Sequence, residues 1–196
     1  MTTSRLEAFS DGVLAIVITV MVLELKPPSP EDATWHSLIH TSGVGLLTYV
    51  LSFVYIGIYW SNHHHLFQLV DDVDGTVLWA NLHLLFWLSI VPFTNGWLDE
   101  SNVDEVPTVV YGLNLLAAAI AYYLLQLAIF RTPSGDRARA ALGSDLKGKL
   151  SPVLYVVGIL LALVNPYAGL VPAVIVALTW LVPDRRVERF LAAERG

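Results

Sequence analysis

Cysteine is absent from the 196-residue chain. No disulfide framework, thiolate nucleophile or cysteine-ligated metal cluster can therefore exist in it. Charge is scarce as well: Asp, Glu, Lys and Arg make up 14% of residues, where soluble domains carry roughly a quarter. The phosphate-cradling G-x-x-x-x-G-K-[ST], the metalloprotease H-E-x-x-H, the hydrolase G-x-S-x-G and the TVGYG selectivity filter are all missing. No segment longer than about 20 residues reads as a soluble domain. These absences argue against an enzyme, an ATP-driven pump or a resident cofactor. The formal net charge of -6 argues against a nucleic-acid partner.

What remains is apolar: 55% of residues are hydrophobic and the mean hydropathy is +0.60. Five stretches hold no charged residue, namely Leu38 to Trp60, Thr76 to Leu98, Val106 to Phe130, Leu150 to Val164 and Pro166 to Val182. A sixth, at the N-terminus, is charge-free only from Gly12 to Leu23, with Glu7, Asp11 and Glu24 at its ends. A cleaved leader would show an A-x-A-like site after its apolar run. None follows here, and Pro27-Pro28 simply ends the helix. The last two stretches meet at Asn165-Pro166, a turn signal, and predict a helical hairpin. Ser151 and Pro152 mark its expected start, as N-cap and first helical residue. The expectation is an all-α membrane protein: one six-helix transmembrane domain over 1–196, with spans at about 7–25, 38–60, 76–98, 106–130, 150–164 and 166–182.

Basic residues orient this bundle in the cell membrane. With both termini cytoplasmic, Arg5, Arg131, Arg137, Arg139, Lys147, Lys149, Arg185, Arg186, Arg189 and Arg195 lie inside, and only Lys26 of the 11 basic residues lies outside. The outer loops then carry Glu24, Glu31, Asp32, Asp99, Glu100, Asp104 and Glu105. Acids there keep short loops soluble, or gather cations at a mouth.

The first helix is the most informative segment. At 100° per residue, Phe9, Gly12, Ile16, Thr19, Val20 and Leu23 fall within an arc of about 100°, while Asp11 and Ser10 point away from it on opposite sides. Arg5 and Asp11 are six apart and cannot pair along one helix face, so each needs a partner elsewhere. Both faces are apolar. On the residues alone, Ile16, Val20 and Leu23 suit a core or lipid-facing role as well as a pore, and the Thr19 hydroxyl can simply bond its own helix.

Arg5, Phe9-Ser10-Asp11-Gly12-Val13, Ala15-Ile16, Thr19 and Leu23 closely resemble the first-helix signature of the transmembrane protein 175 family. The resemblance extends to Trp60-Ser-Asn62-His63-His64 and to Val91-Pro92-Phe93. It implies a potassium-preferring cation channel without a TVGYG filter, built as a homotetramer in membrane lipid with the first helix lining a central pore. It places a hydrophobic gate on Ile16, Val20 and Leu23, with Thr19 between them as a hydroxyl ring and potassium passing near Ile16 and Thr19. Val20 departs from the bulkier Leu often found there, which loosens the middle ring. The alternative is a proton- or cation-coupled secondary transporter using membrane acids and His as a relay; a scaffolding subunit is a third reading.

Near the cytoplasmic face an Arg5–Asp11–His network is expected, involving Ser10, Trp60, Asn62, His63 and His64, because a charge at that depth needs a partner. A metal site on His63, His64 and His65, assisted by Asp71, Asp72 and Asp74, is disfavoured: consecutive helical residues point 100° apart. His40 and His83 are expected as packed, hydrogen-bonded residues. Asn81, Asn95, Asn114 and Gln126 are expected to bond between helices. Trp35, Trp60, Trp97 and Trp180 stand near span ends, as interfacial anchors do.

Overall fold

In a bilayer every backbone polar group must be satisfied within the chain, which leaves helices as the available element here. The computed structural model describes residues 2–71, 73–143, 145–181 and 190, and among them it contains eight α-helices and one 3₁₀ turn. Asp72 and the arginines 185, 186, 189 and 195, invoked above, lie outside the described residues.

Helix α1 runs Thr3–Leu23 and stops before the Pro27-Pro28 pair. After the 3₁₀ turn Pro30–Asp32, helix α2 (Trp35–Phe67) opens where the Thr34 hydroxyl accepts the Ser37 backbone N–H. Its 33 residues would extend about 50 Å, so its ends outrun a bilayer core and carry the three histidines beyond the expected span. Helix α3 (Gly75–Ser89) is capped by Asp74, and α4 (Val91–Glu100) continues it after a break at Ile90. The charge-free run predicts one span here, and the two helices together still make one apolar segment, Gly75–Glu100, with an interruption at Ile90 that the run does not reveal. Pro92 lacks the N–H that would continue the ladder, and the helix restarts there.

Helix α5 (Glu105–Ile129) packs against α3, α4, α7 and α8 and forms the middle of the bundle. A short helix α6 (Gly135–Leu142), not foreseen in the sequence, leads to α7 (Leu146–Ala162) and α8 (Pro166–Leu181). The hairpin turns at Asn165, whose side-chain oxygen accepts the Ala168 N–H. Its start differs from expectation. The Asp145 carboxylate accepts the Gly148 N–H and begins α7 earlier, leaving Pro152 inside the helix and Ser151 bonded back to the Lys147 carbonyl.

Among the described residues, four segments are long and apolar enough to cross a membrane: Thr3–Leu23, Trp35–Phe67, Gly75–Glu100 and Glu105–Ile129. The first four expected spans fall on these segments. The described parts of α7 and α8 are 17 and 16 residues long, against the ~20 a span ordinarily needs.

Small residues let α7 and α8 approach closely. A Cβ at Gly169 would lie 2.6 Å from the Ala162 methyl, and one at Gly158 would lie 2.8 Å from the Gly169 carbonyl oxygen. Gly169→Val is therefore expected to destabilise the protein by about 1–3 kcal/mol through overpacking. Gly57→Ala, where an added Cβ meets nothing within 4 Å, should be neutral. Melting of the detergent-solubilised variants checks the contrast.

Candidate functional site

Helix α1 has one buried and one open face. Leu6, Ser10, Leu14, Val17 and Met21 are buried against α2, α3 and α4. Phe9, Ile16, Val20 and Leu23 are exposed by 53%, 63%, 37% and 79%, and Gly12 and Thr19 are exposed beside them. The arc drawn from the sequence lies within the wider face, which also takes in Ala8, Asp11, Ala15 and Val22, that the described helices leave exposed. Thr19 donates its hydroxyl proton to the Ile16 carbonyl at 2.9 Å, the local bond expected of a mid-helix Thr. That bond spends the proton and leaves the oxygen lone pairs free on the open face.

Glu7, Ser10 and Asp11 of α1 face α2 and α3. Ser10 donates to the Leu6 carbonyl at 2.8 Å and accepts from the Asn81 amide nitrogen at 3.0 Å. The Asn81 oxygen meets His63 Nε2 at 2.7 Å. The chain of donors is self-consistent when His63 carries its proton on Nε2. The run His63 to Asn81 to Ser10 to Leu6 then points one way, with all three side chains buried. Asp11 accepts the Trp60 indole N–H at 2.9 Å. One turn earlier, Glu7 lies 3.5 Å from His64 Nδ1, and His64 stacks on Trp60. Two residues spaced by four on α1 therefore meet two spaced by four on α2. Glu7 was missed in the sequence, although this matched spacing was the available signal.

Not every expected member joins. Arg5 is exposed, and among the described residues its side chain has no ion-pair partner. Asn62 turns its amide to the Ile58 carbonyl of its own helix. The three histidines diverge: His63 inward, His64 toward Glu7, and His65 into a groove beside Trp180. Among the described residues no group of three or more His, Asp or Glu could hold a metal ion.

The two ends of the bundle differ in charge. Thr3 bonds the Val70 and Asp71 carbonyls, and Asp71 meets Ser134 and, at 3.8 Å, Arg137. This places Arg5, Arg137 and Arg139 at one end. At the other, Lys26 pairs with Glu100 at 2.6 Å, and that hydrogen bond holds the Lys26 ammonium above its ordinary range. Glu24 lies against Gly96 and Asp99 against Gly45 at this same end. An open groove of about 720 Å³ follows α1 and α4, walled by Ile16, Val20, Phe93 and Trp97 and closed at the acidic end by Glu24 and Glu100.

The family model described as "Endosomal/lysosomal potassium channel TMEM175" matches residues 5–92, a range that takes in α1, the histidine end of α2 and Pro92. A protein of Chryseobacterium sp. (strain P1-3) named a potassium channel is 48% identical over 192 residues, covering 97% of this chain and 98% of that one. The chain belongs to the TMEM175 family. The crystal structure described as a lysosomal potassium-selective channel TMEM175 homolog from Chamaesiphon minutus superposes with a TM-score of 0.74 at 30% identity, covering 92% of this chain and 96% of that one. The human relative, named an endosomal/lysosomal proton channel, is 30% identical over 97 residues, which is 47% of this chain and 19% of its own length. The TMEM175 family is one of ion channels, not of enzymes.

The buried bridge between α1, α2 and α3 has a direct test. Asn81→Leu strands His63 Nε2 and removes the donor to Ser10, and is expected to cost about 1–3 kcal/mol. Asn62→Ala, which removes a bond within one helix, should cost little. Thermal melting of the two variants reads the difference.

Proposed function

We propose that four copies of this chain assemble around α1 as a potassium-preferring cation channel, multi-pass in the cell membrane with both termini cytoplasmic. The observation that carries the reading is the open stripe of Gly12, Ile16, Thr19, Val20 and Leu23 on a helix whose other face is buried. A ring of four Ile16 side chains offers a permeating ion no oxygen in place of its water, so it acts as a dewetting gate that conducts only when wide enough to stay wet. Four Thr19 hydroxyls, one turn further, supply the nearest oxygens, because each has already given its proton to the Ile16 carbonyl. Neutral hydroxyls without a rigid carbonyl cage give moderate selectivity for potassium over sodium.

The charge of the two ends supports the orientation, with the Arg-bearing end inside and the acidic end outside gathering cations. The α7–α8 hairpin completes six crossings by lying against α5, its short helices accommodated by local thinning of the bilayer. Asp11, Ser10 and their partners fix the rotation of α1 and stay off the ion path.

The alternative of a proton- or cation-coupled secondary transporter needs a titratable group on the path at mid-membrane depth. The stretch from Gly12 to Leu23 carries none. Proton conduction is the second reading, favoured by the name of the human relative.

Recording from purified protein in planar bilayers, with potassium on one side and sodium on the other, tests the proposal. Unitary steps with a reversal potential displaced toward that of potassium are expected. In Ile16→Asn the current should stay large while the reversal potential collapses toward zero, and an unchanged reversal potential would remove Ile16 from the gate. Slow flux without unitary steps would favour the transporter.

A further inference from the structure

His36 and His40 stand one helical turn apart at the start of α2, and their ring centroids are 4.2 Å apart with planes tilted by 41°. Both residues are exposed and lie on the acidic side of the bundle, since Ser42, two residues on, donates to the Lys26 carbonyl. The 3₁₀ turn immediately before α2 carries Glu31 and Asp32, also exposed. Imidazoles at i and i+4 on one helix face are a two-point clamp for a borderline metal ion, the geometry that the paired histidines of H-E-x-x-H use. Two nitrogens each about 2.0–2.1 Å from one tetrahedral ion sit roughly 3.3 Å apart, a separation that rings with these centroids reach by small side-chain rotations.

We propose that His36 and His40 form a binding site for a divalent transition-metal ion of the zinc, nickel and copper class at the outer end of α2, with water completing the coordination. Carboxylate and carbonyl sites suit calcium and magnesium, whereas a bis-imidazole pair selects against them. The surrounding acids raise the local concentration of any divalent cation without being ligands themselves. Clamping the first turn to the second also holds the N-terminal end of α2 in its helical form. The site is independent of the conduction mechanism, because it rests on two residues of α2 outside the α1 stripe.

Isothermal titration of untagged, detergent-solubilised full-length protein with zinc chloride tests this. One zinc ion per chain is expected, with no heat from magnesium chloride at the same concentration. His36→Gln and His40→Gln should each weaken binding by roughly tenfold or more, because each removes one of two protein ligands. His64→Gln, which alters the histidine beside Glu7 at the opposite end, should leave binding unchanged. Absence of binding in the unmodified chain, or loss in His64→Gln with retention in the α2 variants, overturns the proposal.

Discussion

The structure depends on the one-sided packing of α1. Its buried arc is held by three other helices, and among the described residues its opposite arc is left largely exposed, bordered on one side by the groove to α4. In a bilayer an uncovered apolar face carries no penalty of its own, because lipid tails are as apolar as a side chain. What gives the open face meaning is that α1 is pinned at both ends. At one end Thr3 is tied to the loop between α2 and α3, and Glu7, Ser10 and Asp11 to α2 or α3; at the other, Glu24 and Lys26, just beyond the helix, meet α4. A helix held at that many points cannot roll, so the azimuth of Ile16, Thr19 and Leu23 is set by residues that never touch the stripe.

The polar contacts that set this rotation come in two kinds. The Trp60–Asp11 and His64–Glu7 rungs lie at the edge of the bundle, where water and screening make each one weak. The bridge from His63 through Asn81 to Ser10 is buried. Interhelical hydrogen bonds in membranes contribute only about 0.6–2 kcal/mol each, yet orphaning a buried polar atom is costly. The buried bridge therefore specifies position more than it adds stability. A second polar cluster works alike between α2, α4 and α5, where Ser52 meets Asn95 at 3.0 Å and the Tyr111 hydroxyl at 3.1 Å.

Helical periodicity makes the α1 stripe legible in the sequence, since a face defined by Ile16, Thr19 and Leu23 follows from 100° per residue alone. Which side of that wheel stays open was not legible, because both sides are apolar and only the neighbouring helices decide it. The divergence of His63, His64 and His65 also followed from helix geometry, whereas the particular partner of each did not. Pro152 misled for a physical reason: a Ser-Pro pair looks like a helix start, but Asp145 caps two turns earlier and the helix tolerates losing one bond to the Gly148 carbonyl. The break at Ile90 was hidden within a charge-free run that reads as continuous. Arg5 was matched to Asp11 on charge, yet the nearer indole of Trp60 takes that carboxylate.

The absence of cysteine makes the most direct measurement straightforward, because any thiol introduced is the only one present. Single cysteines at Gly12, Ile16, Leu23, Leu14, Val17 and Met21 can be challenged with a water-soluble, thiol-directed cation while potassium current is recorded. If the open face of α1 lines the ion path, block is expected at Gly12, Ile16 and Leu23, and Leu14, Val17 and Met21 should be silent. Block that follows the buried set, or that is indifferent to the face, would contradict a pore lined by α1.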